Sequence, residues 1–109
     1  MSVHNKVVTF IERFKKNAGS DCSLALEDAF LNGNCYWFAQ ILMKRFRSLN
    51  PTLCYLQIEG HFVVKFENRY YDITGEKILE EQPYVWAELQ KAEPNLTKRI
   101  YRNCVLLEN

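Results

Sequence analysis

No charge of one sign dominates this sequence. Fourteen Lys and Arg face thirteen Asp and Glu, a formal net charge of +1, so no strong field draws the chain to nucleic acid or to an anionic membrane. Lys44, Arg45 and Arg47 do cluster, but they read as the solvated end of a helix, and a nucleic-acid reader also carries a basic stripe or a reading motif. No apolar run approaches the length of a membrane span. The opening "MSVHNKVVTFIERFKK" lacks the basic flank, apolar run and small-residue cleavage site of a secretion signal. The expected compartment is therefore the cytoplasm, with neither nucleic acid nor membrane as a partner. Cysteines stand at 22, 35, 54 and 104 with no C-x-x-C among them, which argues against a zinc knuckle or a thioredoxin-like redox pair. In a reducing cytosol all four should be free thiols. Histidine is scarcer still, with only His4 and His61.

What the sequence does have is apolar and aromatic material: 48% of its residues are hydrophobic, including seven Phe, six Tyr and two Trp. That suffices for one core, and 109 residues suffice for one domain spanning 1–109. Val3, Val7, Phe10, Ile11 and Phe14 recur at helical spacing, with Lys15, Lys16 and then Gly19 as a stop. Ser20 or Asp21 can cap a short helix near 22–30, which the breaker Asn32-Gly33-Asn34 ends. A third helix runs from Cys35 to about Leu49. Its first turns, Tyr36, Trp37, Phe38, Ala39, Ile41, Leu42 and Met43, are apolar nearly all round, which predicts a central helix wet only at its basic end. After Asn50-Pro51 the segments "TLCYLQIEG", "HFVVKFE" and "RYYDITG" read as strands of a small antiparallel sheet. A short helix near Pro83 to Gln90 follows, and the last stretch suits a strand or a helix equally. The fold class is α+β, with a cysteine-bearing helix on an antiparallel sheet.

Two residues of this pattern invite chemistry together. His61 opens one strand and Asp72 lies on the next, and the hairpin register decides whether they meet. With the turn at Glu67-Asn68, Val64 faces Tyr71 and Val63 faces Asp72, so His61 is diagonal to Asp72 at roughly 7 Å between Cα atoms. A turn one residue later moves the pair to about 13 Å; the first register is the expected one. Phe62, Val64, Phe66, Tyr71 and Ile73 then form an apolar face that needs a covering layer, while Lys65, Tyr70 and Thr74 share the mixed face of His61. Cys35 starts a helix, where unpaired N–H groups and the helix dipole favour a thiolate. Cys35, His61 and Asp72 thus supply a nucleophile, a general base and acid, and a group to orient the imidazole. Asn32 or Asn34 can add a donor to the Cys35 backbone N–H in an oxyanion hole, and Tyr36 and Trp37 are candidate substrate walls.

"GNCYWFA" at a helix start, followed by "GHFVVKFENRYYDITG" on a hairpin, resembles the core of the papain-like and transglutaminase-like cysteine hydrolases. It is also similar to small proteins of bacteriophage and prophage origin. The cysteine-hydrolase resemblance covers roughly residues 30 to 76 and implies Cys35 as nucleophile, His61 as base and Asp72 as orienting acid. The pattern departs from these families where papain places a glutamine upstream of its cysteine and where the transglutaminase-like branch has the tryptophan of "H-A-W": Ala29 and Val63 stand near those places.

The expected function is hydrolysis of an amide or ester by a cysteine peptidase, amidase or deamidase acting on a peptide or protein. The same triad serves an acyltransferase or transglutaminase equally well, and a non-catalytic module that holds a peptide partner on the same fold is the competing reading. No cofactor is implied. A metal held by Cys35, His61 and Asp72 lacks a fourth ligand, so the triad is preferred. Each residue also has a plainer reading: Cys35 as a buried apolar filler, like Cys22, Cys54 and Cys104, His61 as a strand-start residue bonded to backbone, and Asp72 as a turn former.

Overall fold

The computed structural model describes residues 2–17 and 35–102. Cys22, Cys104, Asn32, Asn34 and the short helix expected near 22–30 lie outside the described residues. Helix α1 spans Val3–Asn17 and lays Val7 and Ile11 into the core, with Val3, Phe10 and Phe14 beside them, as its spacing predicts. Helix α2 spans Cys35–Arg45. It ends earlier than the sequence suggests: Phe46 forms a turn, Arg47–Leu49 is a single 3-10 turn, and Asn50 closes it in the left-handed region at φ 55°.

Five strands follow: β1 Thr52–Leu56, β2 His61–Phe66, β3 Arg69–Asp72, β4 Gly75–Lys77 and β5 Tyr84–Val85. Helices α3, Trp86–Ala92, and α4, Pro94–Tyr101, complete the described chain. All strand pairings are antiparallel, in the order β4-β3-β2-β1-β5. The segment "RYYDITG" is two strands and not one, because the chain reverses at Ile73-Thr74 and pairs Asp72 with Gly75. Likewise the helix expected from Pro83 starts only at Trp86. Tyr84 and Val85 first pair with Tyr55 and Cys54 of β1, where an aromatic and a β-branched residue favour the strand. Of the undecided C-terminal stretch, Pro94–Tyr101 is helix, with Pro94 in its first turn, where the missing N–H costs nothing, and residues 103–109 lie outside the described residues.

The sheet is buried on one face against the helices. Tyr55, Phe62, Val64, Phe66, Tyr71 and Ile73 join Val7, Ile11, Phe38, Leu42, Trp86 and Ile100 in one cluster, so the face that needed a covering layer has one. The opposite face carries a smaller group, Cys54, Leu56 and Val63, against Tyr70 and Leu79. Helix α2 crosses β2 and touches β1 and β3. It is not enclosed all round as its composition predicts. The fully buried stripe is Cys35, Phe38, Ala39 and Leu42, whereas Trp37 is 45% exposed. Helical spacing admits one stripe to the sheet, and composition alone does not say which residues take it.

Candidate active site

The β2–β3 hairpin turns at Glu67-Asn68, with Val64 opposite Tyr71, Lys65 opposite Tyr70 and Phe66 opposite Arg69. This is the register that brings His61 within reach of Asp72. His61 Nε2 lies 2.9 Å from Asp72 Oδ2, with both side chains buried. The other carboxylate oxygen, Oδ1, accepts the Thr74 backbone N–H at 2.8 Å and the Thr74 hydroxyl in a short bond. Asp72 therefore both shapes the β3–β4 turn, the plainer role foreseen for it, and holds the imidazole.

Cys35, the first residue of α2, is 5% exposed and hydrogen-bonds to the His61 ring. Since Nε2 is taken by Asp72, the nitrogen left for sulfur is Nδ1. Cys35, His61 and Asp72 share a small pocket with Phe38, Ala39, Phe62, Tyr71 and Ile73. Strict alternation puts His61 and Asp72 on the sheet face opposite Phe62, Tyr71 and Ile73, yet all five line this one pocket. The site lies where β2 begins and β3 ends, and at strand ends side chains are no longer confined by neighbours on both sides. Cys35, His61 and Asp72 are all buried there.

The electrostatics follow from burial and pairing. Burial works against a charged His61, but its hydrogen bonds to Asp72 and Cys35, and the negative charge on both, push its pKa up from 6.5 to about 9. Burial works against the Asp72 carboxylate too. The hydrogen bonds from His61 and from the Thr74 side chain and backbone outweigh it, and the pKa falls below the ordinary carboxylate value. An imidazolium between two anionic groups is the state these partners favour.

Other candidates are placed differently. Tyr36 and Trp37 do not line the Cys35 pocket. They flank a separate depression with Gln40, Ile41, Lys44 and Tyr101, and Tyr36 packs edge to face on Phe62 and Tyr101. Cys54 is 2% exposed on the far face of the sheet, where burial raises its pKa. Among the described residues, no group of His, Cys, Asp and Glu side chains could hold a metal ion.

His4, to which the sequence pattern assigns no role, is also placed by the fold. It sits in α1 with Nδ1 2.9 Å from the Tyr71 hydroxyl and 3.7 Å from Glu76 Oε1, so it braces the outer side of a residue that lines the pocket. A signal was available: His4 precedes Val7 and Ile11 by one and two helical turns, which puts it at the edge of the buried stripe.

Among the described residues, no helix is long and apolar enough to cross a membrane. No curated protein and no solved structure matches the chain. Residues 10–102 match a family model described as Phage YunG-like protein, a phage-related family, and this match does not show the papain-like or transglutaminase-like resemblance.

Proposed function

The chain belongs to the phage YunG-like protein family, and on that premise we propose that this phage-related domain is a small cysteine hydrolase that cleaves an amide or ester through an acyl-enzyme. One observation carries the reading: a buried cysteine at a helix start bonds to an imidazole whose other nitrogen is held at 2.9 Å by a carboxylate. The papain-like and transglutaminase-like resemblance assigns the same roles. The negative charge that raises the His61 pKa acts in both directions, so the imidazolium favours the Cys35 thiolate.

In the proposed reaction the Cys35 sulfur bonds to the carbonyl carbon and the carbonyl electron pair moves to oxygen. The oxyanion collapses, the bond to the leaving amine or alkoxide breaks, and the His61 Nδ1 proton goes to that group. A water then attacks the thioester, His61 takes its proton, and the thiolate departs. Asp72 keeps Nε2 as the bonded nitrogen, so that Nδ1 faces sulfur throughout. Substrates would be peptides or proteins. Transfer of the acyl group to an amine in place of water would use the same residues.

The non-catalytic reading has its own observation, the burial of the Cys35 side chain. Thiol alkylation by iodoacetamide, mapped to each cysteine by mass spectrometry between about pH 5 and 9, separates the two, because an ordinary thiol near 8.5 reacts little at the acid end. The hydrolase reading expects Cys35 to be labelled first below about pH 7, with that preference lost in His61→Ala. It also expects a thioester adduct with an activated ester, absent in Cys35→Ser. Labelling of Cys35 no faster than Cys54, with no adduct, would leave the binding module as the function.

A further inference from the structure

At the far end of α2, about 15 Å along the axis from Cys35, a second cavity of about 430 Å³ opens between α1 and the 3-10 turn. Lys6 and Arg13 reach it from α1 and Arg45 from α2, with the hydroxyl-bearing Thr9 and Ser48 between them, and no acidic side chain lines it. Among the described residues none of the three cations makes an ion pair with an acidic side chain. Arg45 is held in place from below: its guanidinium lies 5.0 Å from the Phe46 ring centroid and 5.7 Å from that of Phe10. Those two rings meet edge to face at 5.5 Å. Three like charges around one hollow repel each other, a cost that an anion relieves.

We propose that this cavity binds a small phosphate monoester carrying a planar group. Three cations and two hydroxyls suit the several oxygens and double charge of a phosphate better than a single carboxylate. The Phe10, Phe46 and Arg45 surface offers a planar moiety both an aromatic wall and a guanidinium face to stack on. The volume lies within the roughly 300–1,000 Å³ of small-molecule sites. With a formal net charge of +1 over the whole chain, a small ligand fits these residues better than a polynucleotide.

The test is isothermal titration calorimetry of the full chain at low salt with adenosine 5′-monophosphate, inorganic phosphate and adenosine as probes. The monophosphate should bind more tightly than either fragment. Lys6→Ala and Arg13→Ala, both at exposed positions, should each weaken it roughly tenfold, the scale of one lost charge-assisted hydrogen bond. Cys35→Ser should bind it like the parent, which separates this site from the proposed triad. Undiminished affinity in the Lys6→Ala/Arg13→Ala double variant would overturn the proposal, as would inorganic phosphate or adenosine binding as tightly as the monophosphate. Binding of a short single-stranded oligonucleotide without binding of the monophosphate would overturn it in favour of nucleic acid.

Discussion

Asp72 commits both carboxylate oxygens, one to His61 and one to Thr74, so a single residue couples the local turn to the long-range pair. Replacing it by Asn keeps the shape and removes the charge. The Asp72→Asn variant should therefore show its His61 pKa moved down from about 9 toward 6.5, read from the imidazole carbon-bound proton shifts in an NMR titration. A His61 pKa unchanged in that variant would mean that Asp72 plays no electrostatic part. Thr74 is the residue whose role the sequence understated. It was placed on the His61 face, but only the turn geometry reveals that its N–H and O–H both satisfy the outer oxygen of Asp72. Cys35 and His61 were legible because each stands at an element start, and their pairing was expected as part of a triad; the contact itself depends on how two different elements pack.

At the scale of elements, the β2–β3 hairpin sets the site. Its two-residue turn puts Glu67 in the left-handed region at φ 58°, a conformation that costs a residue with a Cβ about 1 kcal/mol or more. Glu67→Gly should relieve that strain and stabilise the chain by roughly 0.5 kcal/mol, the remainder being offset by the greater freedom of glycine in the unfolded chain. Equilibrium urea unfolding measures it, and a destabilised variant would refute the strain argument. Gly60, at φ 66°, ends the β1–β2 connection directly before His61, and that loop is pinned where the Glu81 carboxylate accepts the Ile58 and Glu59 N–H groups at 2.9 and 3.0 Å. The strand period showed which residues share a face, but both turn placements keep those faces, so the register itself is decided by the turn at Glu67-Asn68. The same period missed the break after Asp72 and the short strand at Tyr84-Val85, since both depend on a side-chain bond or a partner strand from elsewhere in the chain.

For the molecule as a whole, the buried site should make stability depend on pH at both ends. The His61 pKa is raised above its unfolded value, so its contribution is complete below about pH 6.5 and is lost as the pH rises through about 9. The Asp72 pKa is lowered, so its contribution is present above about pH 4 and is lost as the pH falls through the folded value beneath that. Urea unfolding should accordingly find a maximum between about pH 4 and 6.5 and a decline toward pH 9. Cys35→Ser should flatten the alkaline decline, because it removes one of the two anions holding the proton on His61; an equal decline in that variant would rule out the thiolate partner. The sequence by itself determined the α+β class, the amphipathic face of α1 and the two faces of the antiparallel hairpin, because these follow from side-chain periods of 3.6 and 2 that any local window displays. Only the tertiary structure decided which stripe of α2 meets the sheet, that His4 reaches Tyr71, and that a cysteine at a helix start touches a histidine 26 positions later. Those contacts depend on how whole layers pack, and packing is set by the shapes of residues far apart in the chain.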